Sequence, residues 1–315
     1  MIVNVLLYLA SLAVIWFGAG LIIKSIDRIA HSLKLSSFAV SFFLLGILTS
    51  IPETAISATA IADHNPEIFV GILLGGTIVL FLLIIPFLAV FGGGIRINHD
   101  LSRENILLTL AVIAMPGLFV LDHRVTNLEG IALLASYAVL FYFLQRKHGI
   151  LDHNSVEAMA LKRYSFLDLL KVGLGVGIVF LSSQYIVNQT IALSQAFDIS
   201  AFYISLLVLS VGTNLPELSL AMRAILSKKK DIAFGDYLGS AVVNTLLFGF
   251  FTLINDGEVL TINSFFITFL FILSGLGMFY FFSKSRRNIS VREGVILFGV
   301  YFLFVIYELS RGLLG

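Results

Sequence analysis

The chain has 315 residues, of which 58% are hydrophobic and 12% are charged, and its mean hydropathy is +1.01. A soluble domain carries roughly 25% charged residues, so this composition indicates a polytopic membrane protein with no room for a separate soluble domain. The net charge of +1 predicts no nucleic-acid partner, and the absence of cysteine excludes disulfides, thiolate metal sites and thiol nucleophiles.

Ten apolar segments follow one another along the chain, each close to the roughly 20 residues that a membrane-spanning helix needs. The predicted spans are 2–24, 37–62, 67–92, 104–121, 126–145, 166–195, 201–226, 232–254, 261–282 and 293–312. The loops between them are short except for 146–165, which is polar and divides the spans into two sets of five. We therefore predict an all-α integral membrane protein with ten transmembrane helices.

The two sets of spans define the domain organisation that we expect. A first five-helix repeat would occupy 1–147, a cytoplasmic linker 148–164, and a second five-helix repeat 165–315. Because five is an odd number, the second set must enter the membrane in the opposite orientation, which gives an inverted repeat.

The basic residues predict the orientation of these spans. Lysine and arginine are frequent in the loops after odd-numbered spans, whereas loops 63–66 and 255–260 contain neither residue. Basic loops favour the cytoplasmic side of a membrane. Both termini are therefore expected to lie outside the cytoplasm.

The second and seventh spans contain nearly the same polar sequence motif. Residues 49–53 read Thr-Ser-Ile-Pro-Glu, and residues 213–217 read Thr-Asn-Leu-Pro-Glu. Identical residues recur 164 positions apart at Thr49, Pro52, Glu53, Gly71 and Gly75 in the first half and at Thr213, Pro216, Glu217, Gly235 and Gly239 in the second. A carboxylate within a bilayer is costly and usually functional. Two broken helices that each bear one indicate a transporter with a cation site at the repeat interface.

The residues of this motif offer oxygen ligands that suit a hard cation. Each proline leaves the carbonyl four residues earlier without its helical partner, at Leu48 and at Gly212. Further oxygens come from the side chains of Thr49, Ser50, Thr213, Asn214, Glu53 and Glu217. Calcium takes six to eight oxygen ligands of these kinds, and two glutamates would neutralise one such ion. Each glutamate taken alone could instead be a helix-end residue whose side chain reaches water. The occurrence of both glutamates at matched positions of a repeat argues against this interpretation.

The third and eighth spans supply the second part of each repeat. Glycines four residues apart permit close approach of helix backbones in lipid. Ser240 and Asn244, also four apart, share one helix face and could point oxygens at the ion site. The alternative for these two residues is an interhelical hydrogen bond without an ion. Asp236, close to the cytoplasmic start of its span, is expected to be solvated.

These paired elements resemble the alpha repeats of the sodium/calcium exchanger family, within the calcium/cation antiporter superfamily. The elements that carry the resemblance most strongly are 212–217 and 239–244, and the ten-span inverted layout is similar to that of prokaryotic members. The resemblance implies alternating access, a prokaryotic plasma membrane and a central Ca2+ site flanked by Na+ sites in sodium-coupled members.

The resemblance also implies roles for individual residues. Glu53 and Glu217 would bind the divalent ion together with the Thr49 and Thr213 carbonyls. Monovalent ions would be served by the Ser50, Asn214 and Ser240 side chains and by the carbonyls of Gly46 and Ser210. Asn244 falls where the family carries Asp or Asn.

The first repeat departs from the family pattern at three positions. Leu48 replaces a glycine, Gly76 stands where a serine is expected, and Leu80 stands where an asparagine or aspartate is expected. Both glutamates and both threonines remain, so the divalent site survives. One flanking monovalent site loses a ligand, and Thr77 points about 100° away on an ideal helix, which leaves the coupling ion open.

We expect a secondary active antiporter that exchanges Ca2+ for Na+, with no cofactor and no enzymatic activity. The alternatives are a Ca2+/H+ exchanger, a divergent member with altered ion selectivity, a passive cation channel and a non-transporting relative. The expected partners are membrane lipid and inorganic cations; the oligomeric state is left open, with a monomer plausible.

Overall fold

The computed structural model describes residues 2–30, 42–43, 46–96, 103–148, 166–227, 230–255, 259–260, 265–286 and 288–314. Nearly all of the predicted linker 148–164 lies outside these residues, as do several of the basic residues that predict the orientation.

Each of the ten predicted spans contains helix within the described residues. In the first half the helices are α1 (Ile2–Ala30), α2 (Gly46–Thr49), α3 (Ile51–Ala62), α4 (Glu67–Val79), a π-helical turn (Leu80–Ile84), α5 (Ile85–Phe91), α6 (Arg103–Phe119) and α7 (Asn127–His148). In the second half they are α8 (Phe166–Phe197), α9 (Ala201–Ile204), a π-helical turn (Ser205–Leu209), α10 (Ser210–Thr213), α11 (Leu215–Ser227), α12 (Lys230–Ile254), α13 (Phe266–Arg286) and α14 (Val291–Leu314).

The lengths and composition of these helices support the membrane assignment. Seven helical stretches of the described chain are long and apolar enough to cross a membrane, and two shorter apolar helices, Leu6–Leu21 and Asn105–Phe119, accompany them. The remaining predicted span, 37–62, is represented by α2 and α3. The all-α membrane fold predicted from the sequence is confirmed, with boundaries that differ by a few residues.

Two short antiparallel ladders connect the halves of the chain. In one, Ile95 of β1 (Ile95–Arg96) lies opposite Ile289 of β4 (Asn288–Ile289). In the other, β2 (Arg124–Val125) pairs with β3 (Val259–Leu260), and Val125 lies opposite Val259. Ile95 and Val259 are 164 residues apart, as are Val125 and Ile289. The two ladders are therefore the same contact with the halves exchanged, as an inverted repeat requires.

Two helix N-termini show the same symmetry. Before α7, the backbone N–H of Thr126 donates to Glu129 Oε2 at 2.7 Å. Before α14, the N–H of Ser290 donates to Glu293 Oε2, also at 2.7 Å. In both places the hydroxyl in turn accepts from the backbone N–H of the glutamate, at 3.3 Å for Thr126 and 3.4 Å for Ser290, which makes each pair a capping box. These two pairs are again 164 residues apart.

The centre of the fold is formed by the helices that carry the repeated glycines. In the most apolar stretch of Glu67–Phe91, 94% of the residues are buried inside the protein. In the peripheral Asn127–Arg146 the corresponding share is only 22%. The outer helices direct large apolar side chains outward, which suits contact with lipid. Helix α1 packs mainly against α8, and both border a second apolar cluster that is separate from the main core.

Candidate cation site

Both predicted helix breaks are present, and they have the same local conformation. Ser50 separates α2 from α3 with φ −82° and ψ 10°, and Asn214 separates α10 from α11 with φ −85° and ψ 14°. Pro52 and Pro216 each follow as the second residue of the next helix. In each copy proline ends the regular hydrogen-bonding ladder at the turn before it.

The two breaks bring Glu53 and Glu217 together in the interior. Each glutamate lies in the first turn after its break, with 2% and 1% of its surface exposed. The two carboxylates are close enough to interact electrostatically. The Thr213 hydroxyl lies near Glu53, and the Thr49 hydroxyl lies near Glu217. Each acid therefore has the threonine of the opposite repeat as a polar neighbour.

The residue at each break bonds backwards into its own helix. The Ser50 hydroxyl donates to the Gly46 carbonyl at 2.8 Å, and the Asn214 amide donates to the Ser210 carbonyl at 2.8 Å. Asn214 Nδ2 also lies 3.3 Å from Glu53 Oε1. The two side chains and two carbonyls that the resemblance assigns to monovalent ions are thus bonded to one another in pairs, and Asn214 also contacts Glu53.

Helix α12 contributes a line of buried polar side chains. Asp236, Ser240 and Asn244 follow one another at four-residue intervals, so they share one helix face, and all three are buried. The Ser240 hydroxyl is 2.8 Å from that of Thr49 and also lies near Glu217. Ser240 is thereby placed directly at the acid pair.

The expectation that Asp236 is solvated is wrong. Its exposed surface is 0%, and Thr49 Oγ1 donates to its Oδ1 at 3.4 Å. The reason is that this part of α12 packs across the first helix break rather than emerging into water. The four-residue spacing to Ser240 and Asn244 was the signal in the sequence that could have identified Asp236.

The first repeat lacks the corresponding polar line. The positions 164 residues before Asp236, Ser240 and Asn244 are Ile72, Gly76 and Leu80. The nearby Thr77 hydroxyl donates to the carbonyl of Leu73 in its own helix at 3.2 Å. The space beside Gly76 is taken by two amides, since a Cβ there would be 2.9 Å from Asn244 Nδ2 and 3.3 Å from Asn214 Nδ2.

The repeated glycines permit the close approach that their spacing predicts. A Cβ on Gly75 would lie 2.5 Å from the carbonyl oxygen of Leu206, and one on Gly71 would lie 2.7 Å from that of Phe202. In the other repeat, a Cβ on Gly239 would collide with the carbonyl of Phe42. Gly75 and Gly239 therefore make equivalent backbone contacts, which bring α4 and α12 against the broken helices.

Each of the three central acids keeps one carboxylate oxygen that is buried and accepts no hydrogen bond within the described protein. These atoms are Glu53 Oε2, Glu217 Oε2 and Asp236 Oδ2. Buried polar atoms are normally satisfied, and an unpaired carboxylate oxygen in a dry interior is costly. A donor set of carboxylates, hydroxyls and carbonyls fits a hard cation such as Ca2+. Glu217 interacts with both other acids, but within the described residues no three acidic or histidine side chains form a single metal-binding group.

This fold, with paired broken helices around buried carboxylates, is that of a membrane transporter for inorganic cations. The family model described as sodium/calcium exchanger protein matches residues 3–145 and 169–309, one stretch in each half of the chain. The chain therefore belongs to the sodium/calcium exchanger family.

Individual relatives agree with this family membership. The "Putative antiporter CaxA" of Alkalimonas amylolytica is 28% identical, over 82% of this chain and 83% of its own length. The "Sodium/calcium exchanger MaX1" of Methanosarcina acetivorans is 24% identical, over 96% of this chain and 98% of its own. A solved structure of the sodium-calcium exchanger NCX_Mj, soaked with Na+ and Sr2+, shares the fold with a TM-score of 0.69, covering 97% of this chain and 98% of that one at 20% identity.

Proposed function

We propose that this protein is a secondary active antiporter that exchanges Ca2+ for Na+ across the membrane by alternating access. The observation that carries the proposal is the buried pair Glu53 and Glu217, delivered by opposite repeats, each with an oxygen that no group in the described part of the chain satisfies. Two proteins to which this chain is similar, MaX1 and NCX_Mj, are sodium/calcium exchangers.

In this proposal the divalent ion lies between the two carboxylates. Glu53 and Glu217 contribute charge, and the Thr49 and Thr213 carbonyls complete the site. Side chains of Ser50, Asn214, Ser240 and Asn244, with the carbonyls of Gly46 and Ser210, serve the monovalent ions. Two ionised carboxylates in an occluded, low-dielectric site are costly without cations, so the protein changes sides only when loaded. That requirement couples the two ion fluxes.

The moving part in this proposal is the pair α1 and α8. These helices pack chiefly on each other and meet the core through a separate apolar cluster. Sliding of this pair would expose the carboxylates alternately to the two sides, while α4 and α12 hold the glycine contacts at the centre.

The proposal also includes the domain layout and the location of the protein. The two repeats occupy 1–147 and 165–315, and a cytoplasmic linker at 148–164 joins them. Both termini lie outside the cytoplasm of a prokaryotic plasma membrane, and the protein has no enzymatic activity.

A Ca2+/H+ exchanger is the second candidate, and the first repeat favours it. Gly76 and Leu80 supply no side-chain oxygen, and Thr77 is bonded within its own helix. Fewer monovalent ligands weaken the case for Na+, whereas a proton needs only a carboxylate. Altered selectivity within the same exchange mechanism is the milder form of this alternative.

The test is uptake of radioactive calcium into proteoliposomes with imposed Na+ or H+ gradients. Uptake driven by Na+ supports the first candidate, and uptake driven by H+ alone supports the second. Glu53→Gln and Glu217→Gln should each abolish uptake, because each leaves one charge to balance a divalent ion. Glu308→Gln is the matched control. Glu308 is a buried acid on α14, outside the site, and its Oε1 accepts a hydrogen bond from the Thr268 hydroxyl at 2.6 Å. Full uptake by both site variants would refute the assignment, and flux that ignores the trans gradient would indicate a channel.

A further inference from the structure

A groove between α1, α8 and α14 takes no part in the proposed exchange cycle. It has a volume of about 290 Å³, and residues of α9 and of the π-helical turn Ser205–Leu209 also line it. Four of the lining residues are large apolar side chains that are exposed on the protein surface, namely Leu9, Phe197, Val208 and Leu309. Because the outer surface of these helices faces the bilayer, the groove opens toward lipid rather than toward water.

The lining of the groove is almost wholly apolar, which decides what can fill it. A buried water needs two to four polar partners. The hydroxyl of Tyr8, one of the lining residues, is already hydrogen-bonded to that of Thr190 at 3.0 Å. Of the residues that line the groove, Glu308 is the only one that carries a charge. The hydrocarbon chain of a membrane lipid therefore fits this groove better than water does.

Glu308 gives the groove one polar group that lacks a full set of partners. Its side chain is buried, and its Oε1 accepts a hydrogen bond from the Thr268 hydroxyl. Its Oε2 is buried and accepts no hydrogen bond within the described part of the chain. Arg311 Nη1 lies 4.0 Å from this oxygen, which is close enough for an ion pair but too far for a hydrogen bond. A buried carboxylate oxygen in this situation calls for a hydrogen-bond donor.

The position of this acid along its helix suits a lipid headgroup. Glu308 lies about two turns before Leu314, where α14 ends. The Arg311 guanidinium lies 5.8 Å from the centre of the Tyr307 ring, and its side chain is partly exposed. Tyr203 is close enough to both charged residues to interact with them electrostatically. Tyrosine and arginine at a helix end are typical of the level of the membrane headgroups.

We infer that this groove binds a membrane phospholipid with a primary ammonium headgroup, of the phosphatidylethanolamine class. The ammonium group donates to Glu308 Oε2, the phosphate lies against the exposed part of Arg311, and one acyl chain fills the groove. Charge complementarity selects this lipid, because an acid and a guanidinium side by side match a zwitterionic headgroup. The quaternary ammonium of phosphatidylcholine carries no N–H and cannot supply the missing hydrogen bond.

The site occurs in one half of the chain only. The position 164 residues before Glu308 is Leu144, which offers no carboxylate. The inference goes beyond the proposed exchange function and does not depend on it.

Native mass spectrometry of the purified protein tests the lipid directly. Delipidated protein is mixed with equal amounts of phosphatidylethanolamine and phosphatidylcholine that carry the same acyl chains, and the bound lipids are counted by mass. Wild type should retain phosphatidylethanolamine at least about tenfold better, because a hydrogen bond to a charged group contributes that much.

Glu308→Gln is the decisive variant. It keeps the size of the side chain and the acceptor for Thr268, but it can place an amide N–H where the ammonium group would bind. It should lose the preference for phosphatidylethanolamine, while its calcium uptake persists because the groove lies outside the ion site. Asp122→Asn is the control, since it removes an exposed acid that does not line the groove, and it should keep the wild-type preference.

Two further variants test the chain and the phosphate, and they decide the matter if Glu308→Gln does not fold. Leu9→Trp adds a large side chain at the α1 side of the groove without changing any charge, so it should reduce the retention of both lipids. Arg311→Gln removes the contact for the phosphate that both lipids carry, so it should also weaken both.

Three results would overturn the inference. These are equal retention of the two lipids by wild type, a preference that survives in Glu308→Gln, and undiminished retention in Leu9→Trp or Arg311→Gln. Calcium exchange is measured separately in the proteoliposomes, so each of these results leaves the antiport proposal intact, and a failure of exchange leaves the lipid site intact.

Discussion

Asn214 Nδ2 lies 3.3 Å from Glu53 Oε1, so the break of one repeat donates a hydrogen bond to the acid of the other. The counterpart in the first repeat is Ser50, whose shorter side chain bonds the Gly46 carbonyl at 2.8 Å. The two glutamates are therefore positioned differently, although the helix breaks that carry them have the same conformation.

Loss of the Asn214 amide should weaken calcium binding. In Asn214→Ala the Glu53 carboxylate loses a donor that orients it, and removal of such supporting groups commonly costs metal sites about tenfold or more in affinity. The calcium concentration that half-saturates exchange should therefore rise by about this factor. Asn65→Ala is the control, since Asn65 Nδ2 bonds the Asp63 carbonyl at a loop remote from the acids. An unchanged half-saturating concentration in Asn214→Ala would show that this bond does not position Glu53.

The close contact between Gly46 and α12 should not tolerate a methyl group. A Cβ on Gly46 would lie 2.6 Å from the Gly239 carbonyl carbon and 2.8 Å from the Ser240 nitrogen, and both are backbone atoms that cannot rotate away. Gly46→Ala should lower the melting temperature in detergent and abolish calcium exchange, because the break moves away from Ser240. Gly299→Ala is the control, since nothing lies within 4 Å of a Cβ there. The Gly299→Ala variant should keep its activity and gain up to about 1 kcal/mol of stability from helix propensity. Full exchange by Gly46→Ala would contradict the close packing of Gly46 against α12.

The space beside Gly76 should be adjustable, because side-chain ends rather than backbone fill it. A Cβ there meets the Asn244 and Asn214 amides, which can rotate. Gly76→Ala should therefore fold with a near-normal melting temperature but change the monovalent-ion dependence of exchange. Adding Asn244→Ala should remove the new effect of Gly76→Ala, so the two substitutions should be strongly non-additive in a double-mutant cycle. Simple additivity would mean that the amide does not respond to residue 76.

The proposed orientation is testable because the natural chain contains no cysteine. Asp122 and Lys284 are both exposed, and they lie at the ends of spans that the basic residues place on opposite sides of the membrane. In intact cells a membrane-impermeant maleimide should label Asp122→Cys and spare Lys284→Cys. Both variants should react after the membrane is permeabilised. Labelling of Lys284→Cys alone in intact cells would reverse the proposed topology.

Much of this fold could be predicted from the sequence because hydrophobicity and repetition are properties of the chain itself. Runs of about 20 apolar residues must cross a bilayer as helices. The position of Pro52 and Pro216 after Thr49 and Thr213 locates both breaks, since proline acts on its own helix. The exact repetition of Glu53 and Glu217 at matched positions predicts an acid pair from the sequence alone.

Tertiary packing alone decided the rest. Asp236 looks like a solvated residue near a span end, and only the packing of α12 across the first break makes it buried beside Glu217. Likewise, the sequence shows that Gly76 lacks an oxygen but not that the Asn244 amide fills the space. A residue sequence specifies which side chains share a helix face, whereas the ion-facing surface depends on which faces of different helices meet.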